Sequence, residues 1–126
     1  MTSDPQLAEA TRPCPECGVA FAVPEANARK MFCTDAHRVA WNNRMTVRGR
    51  VLTPLVMAER ITRSGDSRDR ASGILARQQS RRLMDKWVKE DRAAGRMAAD
   101  TYFATRQRLG FHEQQNDQPS TKGTTP

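Results

Sequence analysis

Three cysteines and a histidine lie close together in the chain, spaced Cys14-x2-Cys17-x15-Cys33-x3-His37. They are all of the cysteines and one of the two histidines. Thiolate and imidazole are the donors that hold tetrahedral zinc, and both halves of this spacing suit that chemistry. In the Cys14-Pro15-Glu16-Cys17-Gly18 turn, Pro15 restricts the loop. Gly18 allows the backbone geometry that lets two thiolates converge on one ion. Residues 33 and 37 are four apart, so on a helix that starts near Cys33 they share a face one turn apart. A helix N-terminus there lowers the thiol pKa of Cys33 and favours the ligating form.

Four protein ligands close the tetrahedron and leave no position for a substrate, which is the structural type of zinc site. Three thiolates around Zn²⁺ leave a net negative charge that Arg12, Lys30 and Arg38 can offset. The competing reading is of buried cysteines with a surface histidine. A redox pair is the weaker competitor, because a thioredoxin-like motif needs a βαβ setting that this segment lacks.

The elements that must carry these residues follow from local pattern. Val19, Phe21 and Val23 alternate on one face, so Val19–Val23 reads as a short strand. "PEANAR" reads as the turn and Lys30–Phe32 as the returning strand. A helix follows, with Thr34 as N-cap, Asp35 in its first turn and Gly49 as its stop. Thr53-Pro54 reads as a second helix start, leading a short helix through "LVMAERITR" to a polar turn at Ser64–Ser67. A longer helix is expected over Arg70–Ala94, with Ile74, Leu75, Leu83, Met84, Trp87 and Val88 as a partial apolar stripe and Gly95 as its end. "AADTYFATRQRLGF" reads as one more short helix presenting Tyr102, Phe103 and Leu109. The expected fold is thus mainly α. It has a disordered leader (1–12), a zinc-binding module (13–50) of knuckle, short β-hairpin and helix, a helical region (51–111) and a disordered tail (112–126).

The residues around the four ligands carry a family resemblance. "CPECGVAF" followed by "MFCTDAHRVAWNNR" resembles the treble-clef zinc fingers of the FCS-like and MYM-like kind. Those have a C-x2-C-G-x-x-F knuckle and a helix start of the form "[FY]C-S-x-x-C/H-R". Cys14, Cys17, Cys33 and His37 match the ligand positions, and Gly18, Phe21, Phe32 and Arg38 match the surrounding pattern. Thr34 stands where serine is common and His37 where cysteine is commoner. The resemblance covers residues 13–45 and implies a zinc-stabilised treble clef. It does not choose among the nucleic-acid-binding, protein-binding and nuclease roles that treble clefs serve.

Composition narrows those roles. Of 126 residues, 37% are hydrophobic and 6% aromatic, enough for one modest core and too few for two independent ones without a metal or a partner. The formal charge is +7 and arginine dominates the cations, since only Lys30, Lys86, Lys89 and Lys122 are lysines. Guanidinium suits phosphate and carboxylate alike. Residues 28–50 hold Arg29, Lys30, Arg38, Arg44, Arg48 and Arg50 against Asp35 alone. Arg44 and Arg48 lie one turn apart on a zinc-anchored helix, which is a familiar way to meet phosphates. The plainer alternative is a solvated basic face with Trp41 in the core. Residues 68–96 mix both charges, and only "RQQSRR" (77–82) lacks an acid.

No signal peptide and no apolar run of about 20 residues is present, so the chain is expected to be soluble and cytoplasmic. No Ser/His/Asp set, Gly-rich phosphate loop or carboxylate cluster points to an enzyme or to a small-molecule substrate. A treble-clef nuclease would need a second, open metal site, and Asn42 and Asn43 have no second histidine near them. Sequence therefore favours a small zinc-finger protein that binds nucleic acid through a basic helix face, with a zinc-stabilised protein-binding adaptor acting through its C-terminal helices as the alternative.

Overall fold

The computed structural model describes residues 10–111. The expectations for residues 1–9 and 112–126 lie outside the described residues. Two short strands come first, β1 (Thr11–Pro13) and β2 (Ala20–Ala22), followed by a single 3-10 turn at Glu25–Asn27. Three helices complete the fold: α1 (Asp35–Thr62), α2 (Ser67–Ala93) and α3 (Ala99–Arg108). Mainly helical structure with a small hairpin matches the expected class.

The hairpin forms with a different partner from the one expected. β2 pairs antiparallel with β1, in the register Thr11↔Ala22, Arg12↔Phe21 and Pro13↔Ala20. Lys30–Phe32 is not a strand, and Thr11 and Arg12 belong to the sheet rather than to a leader. The reason is burial. Met31 and Phe32 are consecutive and both buried, whereas a strand turns neighbouring side chains to opposite faces. This segment is tied to β1 through a side chain instead, the Arg12 guanidinium donating to the Lys30 carbonyl at 2.6 Å.

Thr34 caps α1 as expected, its hydroxyl accepting from the His37 backbone N–H at 3.2 Å. The helix does not stop at Gly49 or restart at Thr53. It runs 28 residues, through both and through Pro54. Proline removes the N–H that would bond the Arg50 carbonyl. Both Pro54 and Arg50 are exposed, so that carbonyl can bond water instead. Packing against α2 holds the helix together past the breakers, which is tertiary context overriding local propensity.

α2 starts three residues earlier than expected, at an Asp66 cap whose side chain accepts from the Asp69 N–H. It ends at Gly95 in the left-handed region, φ +75°. The expected stripe is only partly right, because Ile74, Leu75, Met84 and Val88 are exposed. The buried positions are Gly73, Ala76 and Ser80, which with half-buried Leu83 and Trp87 repeat at intervals of three and four. Small residues let the two backbones approach. A Cβ at Gly73 would collide with the Thr62 hydroxyl of α1.

The core lies at the other end of this helical pair. Cys14, Met31, Phe32, Trp41 and Leu109 are buried together, with Phe21, Met45, Met97, Tyr102 and Phe111 packed around them. Trp41 is 2% exposed. Its ring meets Tyr102 at 4.7 Å and Phe32 at 6.1 Å between centroids. Residues from α3 and beyond thus complete the core of the cysteine-bearing segment, and α1 crosses position 50 without a break. No helix among the described residues is long and apolar enough to cross a membrane.

Candidate metal centre

The β1–β2 turn and the start of α1 bring the four candidate ligands together. Cys14 is drawn in at the end of β1 by a backbone bond to the Val19 carbonyl, and the Gly18 N–H closes the knuckle on the Cys14 carbonyl. Gly18 takes φ +76°, which only glycine adopts without strain. Cys33 immediately precedes the Thr34 cap, and His37 lies one turn into α1.

The ligand atoms of Cys14, Cys17, Cys33 and His37 all lie within 4.8 Å of one another. The Cys17 and Cys33 sulfurs are 3.8 Å apart, and His37 Nδ1 is 3.0 Å from Cys33 Sγ and 3.9 Å from Cys14 Sγ. A tetrahedral ion with sulfur bonds of about 2.3 Å needs sulfurs about 3.8 Å apart. Donor chemistry and spacing both fit a bound metal ion such as zinc. The four residues nominated from sequence are the four that the fold brings together.

Proton loss within the cluster is uneven. Burial pushes the Cys14 thiol up. The backbone N–H groups of Cys33, Cys17 and Glu16, with the His37 side chain, more than offset this and bring it down to about 7. The Cys33 thiol moves the other way, raised first by its own burial and then by the neighbouring Cys14 and Cys17. The lowering expected from the helix start is not found, because burial first and the neighbouring thiols second raise this group. A cation at the centre favours deprotonation of all three and releases their protons.

The arginines sort into two groups. Arg44 is committed within the chain, donating two hydrogen bonds of 2.7 Å to the Glu16 carboxylate in the knuckle. Hydrogen bonding from Arg44 holds the Glu16 carboxyl below its usual range. Arg48 makes a similar fork with Asp91 of α2, at 2.9 Å for both bonds, and lies over the Trp87 ring. Burial alone would raise the Asp91 carboxyl, but Arg48 and Arg96 overcome this and lower it. Neither arginine faces solvent with a free fork.

Arg29, Lys30 and Arg38 instead rim a groove of about 780 Å³ beside the Cys3His cluster. Arg38 is half exposed and pairs with Asp35 at 3.3 Å. Lys30 lies 5.7 Å from the Phe21 ring. Arg50 is exposed on α1, away from the groove. α3 adds Arg106, and the chain after it adds Phe111. Sequence reading missed these two together with Glu16 and Asp91. Only contacts across the fold reveal their roles, so no local pattern could have marked them.

Compared with known proteins, the chain matches no protein-family model, no curated protein and no solved structure.

Proposed function

We propose that this chain is a small zinc-stabilised, treble-clef-like protein that binds nucleic acid. Zinc is the ion that a Cys3His tetrahedron suits best, and with four protein ligands it serves structure rather than catalysis. One observation carries the binding role. The groove beside the cluster gathers Arg29, Lys30, Arg38 and Arg106 against one carboxylate among the described residues, Asp35. Cations held together with so little compensation attract phosphates. Arg44 and Arg48, the first choices from sequence, are instead committed to Glu16 and Asp91 within the fold.

A protein-binding role for the α1–α2 pair has its own support. Val47, Val51 and Ile61 of α1 and Ile74, Leu75, Met84 and Val88 of α2 are exposed. The two readings respond differently to salt, because phosphate contacts weaken steeply as salt rises and apolar contacts do not. A mobility-shift assay with DNA and RNA pools, run across salt concentrations with and without a chelator, tests the proposal. Binding at low salt that fades with salt and with chelation is expected. No shift at low salt with zinc-loaded protein overturns the nucleic-acid reading and leaves the helical pair as the working surface.

A further inference from the structure

The groove is aromatic as well as basic, and this distinguishes the kind of nucleic acid it fits. One wall is the Arg29–Phe32 segment, a second is the first turns of α1 with Arg38 and Asn42, and a third is Tyr102 and Arg106 of α3 with Phe111. Trp41 backs one face of the Tyr102 ring, so Tyr102 is held rigid. Arg106 lies 5.9 Å from the centre of the Tyr102 ring and 4.9 Å from that of Phe111, and Arg29 is 5.6 Å from the Phe111 centre. Asn27, Thr34 and Asn42 supply amides and a hydroxyl along the lining.

We infer that the groove takes an unstacked base of a single-stranded nucleic acid. The base stacks against Phe111 and Tyr102, and the flanking phosphates meet Arg29, Lys30, Arg38 and Arg106. The inference rests on the nucleic-acid reading above and narrows it to single strands. A duplex keeps its base faces stacked inside and offers a protein only phosphates and groove edges. Rings and cations sharing one concavity are matched to a strand whose bases are splayed out. The groove volume lies within the usual range for a site that encloses a small ligand. The guanidinium groups of Arg29 and Arg106, already beside the Phe111 ring, are planar and can stack on a base. Base-edge contacts from Asn27 and Asn42 would add orientation, while stacking itself tolerates any base.

Fluorescence anisotropy on zinc-loaded protein tests this with labelled oligo(dT) and oligo(U) of about 15 nucleotides and a matched DNA duplex. The single strands are expected to bind more tightly than the duplex. Phe111→Leu keeps the apolar bulk but removes the ring. It is expected to weaken single-strand binding roughly ten-fold and to leave the salt slope unchanged. Arg29→Ala/Arg106→Ala is expected to lower the dependence of log K on log salt by about 0.7 for each lost contact. Circular dichroism and zinc content verify that each variant is folded. Duplex binding as tight as single-strand binding, or wild-type single-strand affinity in Phe111→Leu, overturns the inference while the nucleic-acid reading stands. Absence of binding to all three probes at low salt overturns both.

Discussion

Arg44 holds Glu16 through two parallel hydrogen bonds of 2.7 Å, and Glu16 lies in the turn between the metal-ligand candidates Cys14 and Cys17. The pair therefore fixes the knuckle against α1, with Arg44 about two turns of helix beyond His37. Both side chains are largely shielded, at 23% and 14% exposure. Arg44→Ala leaves a shielded carboxylate without its partner and is expected to destabilise the zinc-loaded fold by about 2 kcal/mol. On folded protein it is expected to leave the salt slope of nucleic-acid binding unchanged. A reduced slope in this variant would instead place Arg44 on a phosphate.

The same pair predicts a pH dependence. Arg44 holds the folded-state pKa of Glu16 below its unfolded value, so its contribution is complete above about pH 4.3 and disappears as pH falls through the lower folded value. Urea unfolding of wild type and Glu16→Gln across acid pH measures it. Their difference should be constant at neutral pH and shrink only in the acid range. A difference that grows on acidification would contradict the assignment. Asp91, lowered by Arg48 and Arg96, should behave alike in Asp91→Asn.

Gly18 links the knuckle to the far end of α2. Its φ is +76°, and a Cβ there would meet the Gly95 carbonyl oxygen at 2.5 Å. Close by, the Met97 N–H donates to the Pro15 carbonyl at 2.9 Å. Gly18→Ala is expected to cost at least about 1–2 kcal/mol from the left-handed backbone alone, and more from the collision. Chelator competition should show weaker metal retention as well as a lower melting temperature. Wild-type values for both would contradict the close approach.

Gly73 makes a separable prediction at the other end. Gly73→Leu forces α1 and α2 apart where Thr62 and Gly73 meet, far along the chain from the ligands. Hydrogen exchange is expected to accelerate over residues 55–80, with metal content unchanged. Protection equal to wild type would mean that the helices do not pack at this point.

The Cys3His cluster was legible in the sequence because its information is local. Two short ligand pairs, a turn glycine and a threonine cap each carry their meaning within a few residues. The α1–α2 pair was legible only as helix. Its seam is Gly73, Ala76 and Ser80, which no apolar pattern marks, and its continuity past Gly49 and Pro54 comes from packing. Arg44 and Arg48 illustrate the limit most clearly. Their spacing on one face suggested a phosphate contact, yet the carboxylates that occupy them come from positions 16 and 91. Net charge counts cations without saying which are already paired. The groove needed α3 to return to the start of the fold, and nothing near Arg106 or Phe111 in sequence announces that return.

Metal content tests the central claim most directly, because an ion shared by Cys14, Cys17, Cys33 and His37 would tie the knuckle to the start of α1. Structural zinc in small fingers contributes roughly 10–16 kcal/mol at neutral pH, far more than the small core nearby can replace. Elemental analysis of protein purified without added metal is expected to find about one zinc per chain. Cys33→Ser should lose both the zinc and the cooperative melt. A wild-type preparation that is folded, monodisperse and free of metal would contradict the account.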